Sequence, residues 1–211
     1  MTTIPQLYEA FLQCSGVTTD TRNIQPGQLF IALKGPNFNG NSFATKALEA
    51  GARYVLIDEP EYQINEQTLL VPNALEALQQ LGLHHRRQLH IPVLAITGSN
   101  GKTTTKELVH AVLATQFKTY TTKGNLNNHI GVPLTLLSIQ ADAEMAVIEM
   151  GANHPKEIAA YCSYTEPTLG LITNCGKAHL EGFGGVEGVR KGKGELFDWL
   201  RNHNGVAFIC D

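Results

Sequence analysis

The segment of residues 93–105, VLAITGSNGKTTT, limits the fold of this chain most strongly. A short apolar run ends in a glycine-rich turn, which is followed by a lysine, three threonines and a helix-compatible stretch. This is the order of a buried strand, a turn whose backbone N–H groups converge on an anion, and a helix N-terminus that attracts negative charge. The sequence therefore predicts a strand, a phosphate-binding loop and a helix in succession.

The loop departs at one position from the general P-loop pattern, G-x-x-x-x-G-K-S/T. The first glycine of that pattern falls on Ile96, and Gly98 stands three residues before Gly101 instead. A GKT tripeptide alone is often only a helix start, but its place directly after the apolar run favours nucleotide binding. Lys102 is expected to contact the outer phosphates and the Thr103 hydroxyl to bind Mg²⁺. The expected phosphate-contacting residues are Gly98, Ser99, Asn100, Gly101, Lys102, Thr103 and Thr104.

Strand-like and helix-like segments alternate after residue 92. Predicted strands cover residues 93–97, 145–150, 169–173 and 206–209, and predicted helices cover 102–115, 132–138, 155–163 and 187–202. This alternation predicts an α/β fold with a mostly parallel, doubly wound sheet, flanking helices and ligands at the carboxyl ends of the strands. The polar stretch 84–90, closed by Pro92, predicts a boundary between a small α/β domain at 1–88 and a nucleotide-binding domain at 89–211.

Composition excludes several classes of protein. The net charge of −3 gives no reason to expect a nucleic-acid partner. No apolar run approaches the ~20 residues of a membrane helix, and the N-terminus lacks the features of a signal peptide. The four cysteines (Cys14, Cys162, Cys175 and Cys210) show no C-x-x-C spacing, which is typical of reduced thiols. We therefore expect a soluble, cytoplasmic protein.

Four charged or polar residues of the second domain lie at the end of a predicted strand, in a loop or at the start of a helix. Glu149 is placed where a P-loop enzyme holds its Mg²⁺ partner, although such a carboxylate can also cap a helix or face solvent. His179 lies in a loop after a strand, where a lone histidine is usually a surface residue. Lys191 and Lys193 begin the next helix and either attract phosphate or are merely solvated, and spacing singles out neither of them.

Two polar loops complete the set of candidate sites. Asn125, Asn127 and Asn128 form either a turn or a loop that hydrogen-bonds a substrate beside the phosphates. In the first domain, residues 18–22 and 33–40 bracket one predicted strand. These segments form either hairpin turns or a pocket in which Arg22 and Lys34 bind an anionic ligand.

Taken together, these motifs resemble the Mur ligase family, the ATP-dependent amide ligases of bacterial cell-wall precursor synthesis. Residues 97–104 are similar to the family's loop T-G-x-N-G-K-T-S/T, which accounts for the missing first glycine. Four further segments resemble the branch of the family that adds D-alanyl-D-alanine: GNLNNHIGVPLT at 124–135, EMGANHP at 149–155, AHLEGFG at 178–184 and KGELF at 193–197. The resemblance covers essentially the whole chain, but the family's F-D-G-H is replaced by FNGN at 38–41.

The resemblance implies a reaction in which the carboxylate of UDP-N-acetylmuramoyl-tripeptide attacks the γ-phosphate of ATP. The amine of D-alanyl-D-alanine then displaces phosphate from the acyl phosphate. Lys102 would stabilise the transferring phosphoryl group, and two Mg²⁺ ions would bind, the first at Thr103 and Glu149 and the second at His179.

Other roles are also carried over by resemblance. Lys193 matches a lysine that becomes carbamylated and serves a metal site, with Lys191 as the alternative in a shifted register. Asn127 and Asn128 would position substrate near the acyl phosphate, with Asn128 next to the reacting atoms. The UDP moiety would bind the first domain near Thr21, Arg22, Lys34 and Gly35.

The resemblance also implies that the rest of the central sheet and a C-terminal ligase domain are missing from residues 1–211. We therefore expect this stretch to be monomeric and inactive, or nearly inactive, by itself. Two alternatives remain open: a family member that adds the third peptide residue, and a nucleotide-dependent binding module without ligation chemistry. Glu149, His179 and Lys193 together favour a ligase, because a simple switch needs no second metal site.

Overall fold

The computed structural model describes residues 1–177 and 179–209. These residues form two units, Met1–His85 and a second that starts at Arg86. The boundary therefore falls within the last helix of the first half of the chain, which runs over Ala74–Gln88. Each unit has its own parallel sheet.

The first unit is built on a four-stranded sheet in the order β1-β2-β5-β6, with all neighbours parallel. Its elements are α1 (Ile4–Leu12), β1 (Val17–Thr18), β2 (Leu29–Ile31), β3 (Lys34–Gly35), β4 (Phe38–Asn39), a 3₁₀ helix (Gly40–Phe43), α2 (Ala44–Glu49), β5 (Tyr54–Ile57), a second 3₁₀ helix (Pro60–Tyr62), β6 (Thr68–Leu70) and α3 (Ala74–Gln88). Alternate residues of β2 and β5, Phe30, Val55 and Ile57, pack against Ala44 and Ala47 of α2. Strands β3 and β4 form a separate antiparallel hairpin.

The second unit contains a five-stranded sheet in the order β11-β10-β7-β9-β8, again with all neighbours parallel. Its elements are β7 (Val93–Thr97), α4 (Lys102–Leu113), β8 (Thr119–Thr121), α5 (Gly131–Leu137), β9 (Met145–Glu149), α6 (Glu157–Thr165), β10 (Leu169–Ile172), α7 (Leu180–Phe183), α8 (Val186–Asn202) and β11 (Val206–Phe208).

Helices cover both faces of this second sheet. Leu94, Ile96 and Val147 pack on one face against Val109 and Leu113 of α4. On the opposite face, Gly170 of β10 lies against α8, where an added Cβ would come within 2.6 Å of the Leu200 side chain. Glycine at this position therefore permits close packing of helix and sheet. The predicted α/β class with a mostly parallel sheet and flanking helices is confirmed.

The strand order identifies the edge of the sheet at which ligands bind in such folds. The connection from β7 leads to β8 on one side of the sheet, and the connection from β10 leads to β11 on the other. Strands β7 and β10 are neighbours, so the crevice beyond their carboxyl ends is a topological switch point. The predicted phosphate loop follows β7 directly.

Strand β8 and helix α4 each show a feature that the sequence pattern did not reveal. Strand β8 was not predicted, because three residues at a sheet edge give too short a pattern to distinguish from a loop. In helix α4, Val109 and Leu113 pack against the sheet, whereas the Leu108 and Val112 side chains are exposed, at 65% and 70% of their surface.

Two further features of the structure concern membrane-spanning helices and disulfide bonds. Over residues 1–177 and 179–209, none of the helices is both long and apolar enough to cross a bilayer. Cys14, Cys162 and Cys175 are free thiols. The prediction for Cys210 concerns a residue outside those that the structure describes.

Candidate active site

The phosphate loop has the backbone geometry that its glycines permit. Strand β7 is buried along its whole length, and Gly98 follows it at φ +143°. A Cβ on Gly98 would lie 2.0 Å from Thr173 Oγ1, so no other residue fits there without a shift. Gly101 adopts the left-handed conformation at φ +78° and caps α4, which begins at Lys102. The loop therefore leads directly into a helix N-terminus.

The loop after β10 holds the phosphate loop from one side. The Ser99 amide donates to the Asn174 carbonyl oxygen at 3.0 Å, and the Asn100 amide donates to Asn174 Oδ1 at 3.2 Å. Thr173 Oγ1 and Asn174 Nδ2 both donate to the Asn100 carbonyl oxygen, at 2.7 and 3.0 Å. These four hydrogen bonds between neighbouring strand ends fix the turn, and the Ser99 hydroxyl adds a fifth, to the Gly176 carbonyl oxygen at 3.2 Å.

Lys102 lies over the loop that it follows. Its ammonium donates to the carbonyl oxygens of Gly98, at 2.8 Å, and Ser99, at 3.2 Å. Burial lowers the pKa of Lys102, and the charge of Glu149 opposes that shift. The cation is thus bound by neutral backbone groups and stays available to an anion. Thr103 and Thr104, in the first turn of α4, expose their side chains to solvent.

Glu149 ends β9, one strand away from the phosphate loop, and only 1% of it is exposed. Its Oε1 accepts a hydrogen bond from Asn127 Nδ2 at 2.7 Å. Its Oε2 is buried and has no hydrogen-bond partner among the described residues. A buried carboxylate oxygen without a donor is costly unless a cation satisfies it, so the site fits Mg²⁺, which binds few carboxylates and keeps several waters.

The two predicted asparagines have different surroundings. Asn127 bonds Glu149 through its side chain and accepts from the Gly151 amide through its carbonyl oxygen, at 2.7 Å. Asn128 Oδ1 accepts from the amides of Ile130 and Gly131, at 3.0 and 2.9 Å, where α5 begins. The Asn128 oxygen therefore stabilises a turn.

A cleft of about 390 Å³ brings several predicted residues together. Lys102, Asn127, Asn128 and His179 all line it. The His179 backbone is in the left-handed region, at φ 53°, just before α7, and its side chain is exposed. The wall formed by Asn153, His154, Glu157 and Tyr161 was not assigned a role from the sequence. These residues lie four to twelve positions after Glu149, at the end of β9. This position in the sequence could have indicated that they line the same site.

The structure separates the two lysines that spacing could not. Lys191 is exposed, whereas Lys193 is 1% exposed and its ammonium donates to the Ala152 carbonyl oxygen at 2.9 Å. Burial, together with the charge of Lys102, lowers the pKa of Lys193 to about 8. Ala152 lines the cleft, so Lys193 reaches its wall from α8.

Helix α8 fixes that wall with a second side chain. Glu195 Oε1 accepts from the Lys156 amide at 2.7 Å, and Glu195 Oε2 accepts from the Ala159 amide at 2.9 Å. The carboxylate thus satisfies N–H groups at the start of α6, where negative charge is also favoured by the helix dipole. Lys193 and Glu195 together attach α8 to both ends of residues 152–159.

The first unit has its own cleft, of about 490 Å³, lined by Thr19, Asp20, Thr21, Arg22 and Phe38. The Arg22 side chain is 85% exposed and forms a 2.8 Å ion pair with Asp20. The Lys34 ammonium lies 3.1 Å from Asp58 and 3.3 Å from Glu59. The structure therefore groups Thr21 with Arg22 and places Lys34 beside two carboxylates, while Gly35 lies in the exposed hairpin.

The FNGN segment that differs from the family pattern has a clear structural role. Asn41 is fully buried; its Nδ2 donates to Asp58 Oδ1 at 2.8 Å, and its Oδ1 accepts from the Asp58 amide at 2.9 Å. Asn39 Nδ2 donates to Glu59 Oε2 at 2.7 Å. Both asparagines thus orient the carboxylates that pair with Lys34.

Known proteins share this architecture. Residues 96–211 match the Mur ligase middle domain, and residues 13–89 match the Mur ligase family catalytic domain. The UDP-N-acetylmuramoyl-tripeptide–D-alanyl-D-alanine ligase of Escherichia coli strain K12 is 45% identical over 204 residues, which cover 97% of this chain and 45% of that enzyme.

Two solved structures are also similar. MurF from Acinetobacter baumannii has a TM-score of 0.85 at 35% identity, over 97% of this chain and 48% of that one. The MurF ligase from Thermotoga maritima, solved in complex with ADP, has a TM-score of 0.83 at 31% identity, over 93% of this chain and 45% of that one. The chain spans about half the length of the curated relatives it matches. Because the middle-domain match alone extends over more than half of its residues, the chain belongs to the Mur ligase family.

Proposed function

We propose that this chain forms the substrate-binding and nucleotide-binding part of a ligase that joins D-alanyl-D-alanine to UDP-N-acetylmuramoyl-tripeptide at the expense of ATP. The observation that carries the proposal is the convergence of three charged groups at one crevice. Lys102 interacts electrostatically with both Glu149 and Lys193, and all three lie at or beside a cleft behind a phosphate loop. The E. coli and A. baumannii relatives, whose names give this branch of the family, support the choice of substrates.

The first half-reaction uses the loop and Lys102. The tripeptide carboxylate attacks the γ-phosphorus of ATP, the bond to the β-phosphate oxygen breaks, and ADP leaves an acyl phosphate behind. Negative charge builds on the equatorial phosphoryl oxygens, where preorganised N–H groups and an ammonium stabilise it. The Lys102 ammonium would exchange its two carbonyl contacts for phosphate oxygens, which bind a cation more strongly.

Thr103 and Glu149 would hold one Mg²⁺, with His179 contributing to a second. The ion would supply charge neutralisation across the β- and γ-phosphates. Support comes from the unpartnered Oε2 of Glu149 and from Asn127, which fixes the other carboxylate oxygen. No three His, Cys, Asp or Glu side chains among residues 1–177 and 179–209 form a metal cluster. Water and phosphate oxygens would therefore complete the coordination, as Mg²⁺ prefers.

Lys193 would act as a carbamate. Its neutral amine attacks the carbon of CO₂, an N–C bond forms, and the departing proton passes to solvent, which leaves an anion in place of a cation. Only an uncharged amine can react in this way, and the pKa of about 8 makes that form accessible near neutral pH. Lys191 is exposed on the same helix and lacks this environment.

The second half-reaction uses the asparagines of the cleft. The neutral amine of D-alanyl-D-alanine attacks the acyl carbonyl, the C–O bond to phosphate breaks, inorganic phosphate leaves, and the nitrogen loses a proton to solvent as the amide forms. Asn127 and Asn128, which line the cleft, would orient the acyl group there. In the first unit, Thr21 and Arg22 would bind the UDP moiety. Lys34 and Gly35, in strand β3 of the hairpin, would contribute to the same site.

Phosphate release tests this function most simply. A full-length enzyme, meaning this sequence within a chain of its relatives' length, is incubated with ATP, UDP-N-acetylmuramoyl-tripeptide and D-alanyl-D-alanine. We expect phosphate release to need both co-substrates and to match the amide formed. Release that is independent of both substrates would reject ligation in favour of a nucleotide switch. Release with a free third-residue amino acid and a UDP-N-acetylmuramoyl-dipeptide would assign the chain to another branch.

The assignment of the first unit has its own test. Deletion of residues 1–85 is expected to abolish binding of the UDP-linked precursor, because the Arg22 cleft is removed, while ADP binding is retained. Precursor binding that survives this deletion would overturn the role given to the first unit.

A further inference from the structure

Helix α4 buries a charge instead of an apolar side chain. Within α4, all of whose residues the structure describes, Lys106 is the sole buried residue, at 0% exposure. Leu108 and Val112 of the same helix are mostly exposed. Burying an ammonium is unfavourable unless it is hydrogen-bonded and paired, so Lys106 needs a specific explanation. It lies one turn beyond Lys102 on the same face of the helix.

The Lys106 ammonium has two acceptors. It donates to the Thr122 carbonyl oxygen at 2.6 Å and lies 2.8 Å from Glu107 Oε1. Glu107 is itself exposed, and its contact with Lys106 lowers its pKa. Of the two acceptors, only Thr122 is therefore buried.

Thr122 connects Lys106 to the metal-site carboxylate. It is fully buried and follows β8, whose last residue, Thr121, pairs with Val147 of β9. The Glu149 backbone amide donates to Thr122 Oγ1 at 2.9 Å. The Thr122 side chain thus extends the hydrogen bonding between β8 and β9 beyond the last backbone pair. The Thr122 amide in turn donates to the Val147 carbonyl oxygen at 3.2 Å. A single residue, Thr122, thus connects the Lys106 ammonium to the backbone of Glu149.

From this chain of contacts we propose that Lys106 is a positioning residue for the metal site. Its ammonium fixes the Thr122 carbonyl, Thr122 fixes the Glu149 backbone, and Asn127 fixes Glu149 Oε1. Together they orient Oε2 toward the crevice. The inference rests on the proposed function, because it assumes that Glu149 binds Mg²⁺ with the nucleotide.

This role explains why a lysine occupies the position. An apolar residue of similar length would fill the space between α4 and β8 but leave the Thr122 carbonyl oxygen without this donor. The turn after β8 would then be free to shift, and Glu149 would follow it. Partners that orient a metal ligand typically change metal affinity by about 10–100-fold when removed.

The test measures ADP affinity of the full-length enzyme by calorimetry over a range of Mg²⁺ concentrations and also in EDTA. For Lys106→Met we expect the Mg²⁺ concentration that half-saturates the enhancement of ADP binding to rise about tenfold or more. ADP affinity in EDTA should stay within about twofold of wild type, since the phosphate loop and Lys102 are unchanged. A merely structural role would weaken binding equally in both conditions.

Thr122→Val provides a second, nearly isosteric variant that removes only the hydroxyl acceptor of the Glu149 amide. It should shift the Mg²⁺ dependence in the same direction, whereas Thr122→Ser should restore it. Lys118→Met is the matched control, because Lys118 pairs with a carboxylate beside the other end of β8, and it should behave as wild type.

Each outcome decides the inference. Wild-type Mg²⁺ dependence in Lys106→Met, or an equal loss of ADP affinity with and without Mg²⁺, overturns it. Should Lys106→Met fail to fold, wild-type Mg²⁺ dependence in Thr122→Val overturns it equally. A wild-type enzyme whose ADP affinity ignores Mg²⁺ would instead refute the metal site of the proposed function, and the inference with it.

Discussion

The two units hold their cationic side chains in opposite ways. In the first unit, Arg22 pairs with Asp20, and Lys34 pairs with Asp58 and Glu59, at partly exposed positions. In the second unit, Lys102 and Lys193 are wholly or half buried and donate to backbone carbonyl oxygens. In the first arrangement each cation contacts a carboxylate directly, whereas in the second each ammonium donates to neutral carbonyl oxygens, and that of Lys102 lies over the phosphate loop.

This difference predicts different kinds of binding. An anion that enters the first cleft must compete with Asp20 for the Arg22 guanidinium. Because this site is exposed, water and salt also weaken the attraction between the anion and Arg22. An anion at the phosphate loop contacts the Lys102 ammonium, whose hydrogen bonds go to neutral carbonyl oxygens, and the N–H groups at the start of α4. This crevice is partly buried, so electrostatic interactions there are stronger. Substitutions in the second unit should therefore have larger effects than matched substitutions in the first.

Lys102→Ala is expected to have the largest effect. Removing the ammonium takes away charge stabilisation from the transferring phosphoryl group, so ligation by the full-length enzyme should fall on the order of a hundred- to a thousandfold. Circular dichroism and thermal unfolding should remain close to wild type, because the loop is fixed by Asn174 and Thr173. Wild-type turnover in this variant would remove the phosphate loop from the mechanism.

Lys193→Met should lower ligation by up to about a hundredfold through loss of a carbamate at the metal site. Lys191→Met, two residues away on α8, should remain within about twofold of wild type and serves as the control. Because the pKa of Lys193 is about 8, the amine becomes protonated as the pH falls below that value. Activity should therefore decline below pH 8 and be partly restored by added bicarbonate.

A carbon-13 NMR spectrum in labelled bicarbonate checks this cause directly. A carbamate resonance should be present in the wild type and in Lys191→Met and be missing in Lys193→Met. Equal carbamate signals in all three proteins would contradict the role of Lys193.

Arg22→Ala should have a smaller effect, confined to one substrate. The KM for the UDP-linked precursor should rise about tenfold, as expected for one charge-assisted hydrogen bond, with kcat and the KM for ATP unchanged. Steady-state kinetics with each substrate varied in turn separates these quantities. A change in the KM for ATP instead would break the distinction between the two units.

Asp20→Asn should give the smallest change and the opposite sign. Asp20 occupies the Arg22 guanidinium through two hydrogen bonds, at 2.9 and 2.8 Å. Weakening this pair should leave the Arg22 guanidinium more available to the precursor and improve its affinity about two- to threefold at low salt, in line with the modest strength of exposed pairs. Loss of affinity in this variant would mean that Asp20 itself contacts the ligand.

Sequence reasoning reached the phosphate loop, the parallel sheet and the residues at the carboxyl ends of β7 and β9, because each rests on a local pattern. It could not distinguish Lys193 from Lys191, since that choice depends on how α8 rotates against the wall around Ala152. Strand β8 was missed, and with it the partner that explains why Lys106 is buried. Asn41 likewise gained a role only when the fold brought Asp58 next to it, seventeen residues along the chain.

The central claim is that the two units bind different anionic ligands with these two kinds of cation. Calorimetry on the full-length enzyme tests it, with Mg·ADP and the UDP-linked precursor titrated separately into the wild type, Lys102→Ala and Arg22→Ala. We predict that Lys102→Ala weakens only Mg·ADP binding and that Arg22→Ala weakens only precursor binding, by a smaller factor. Parallel losses of both ligands in either variant would contradict the account.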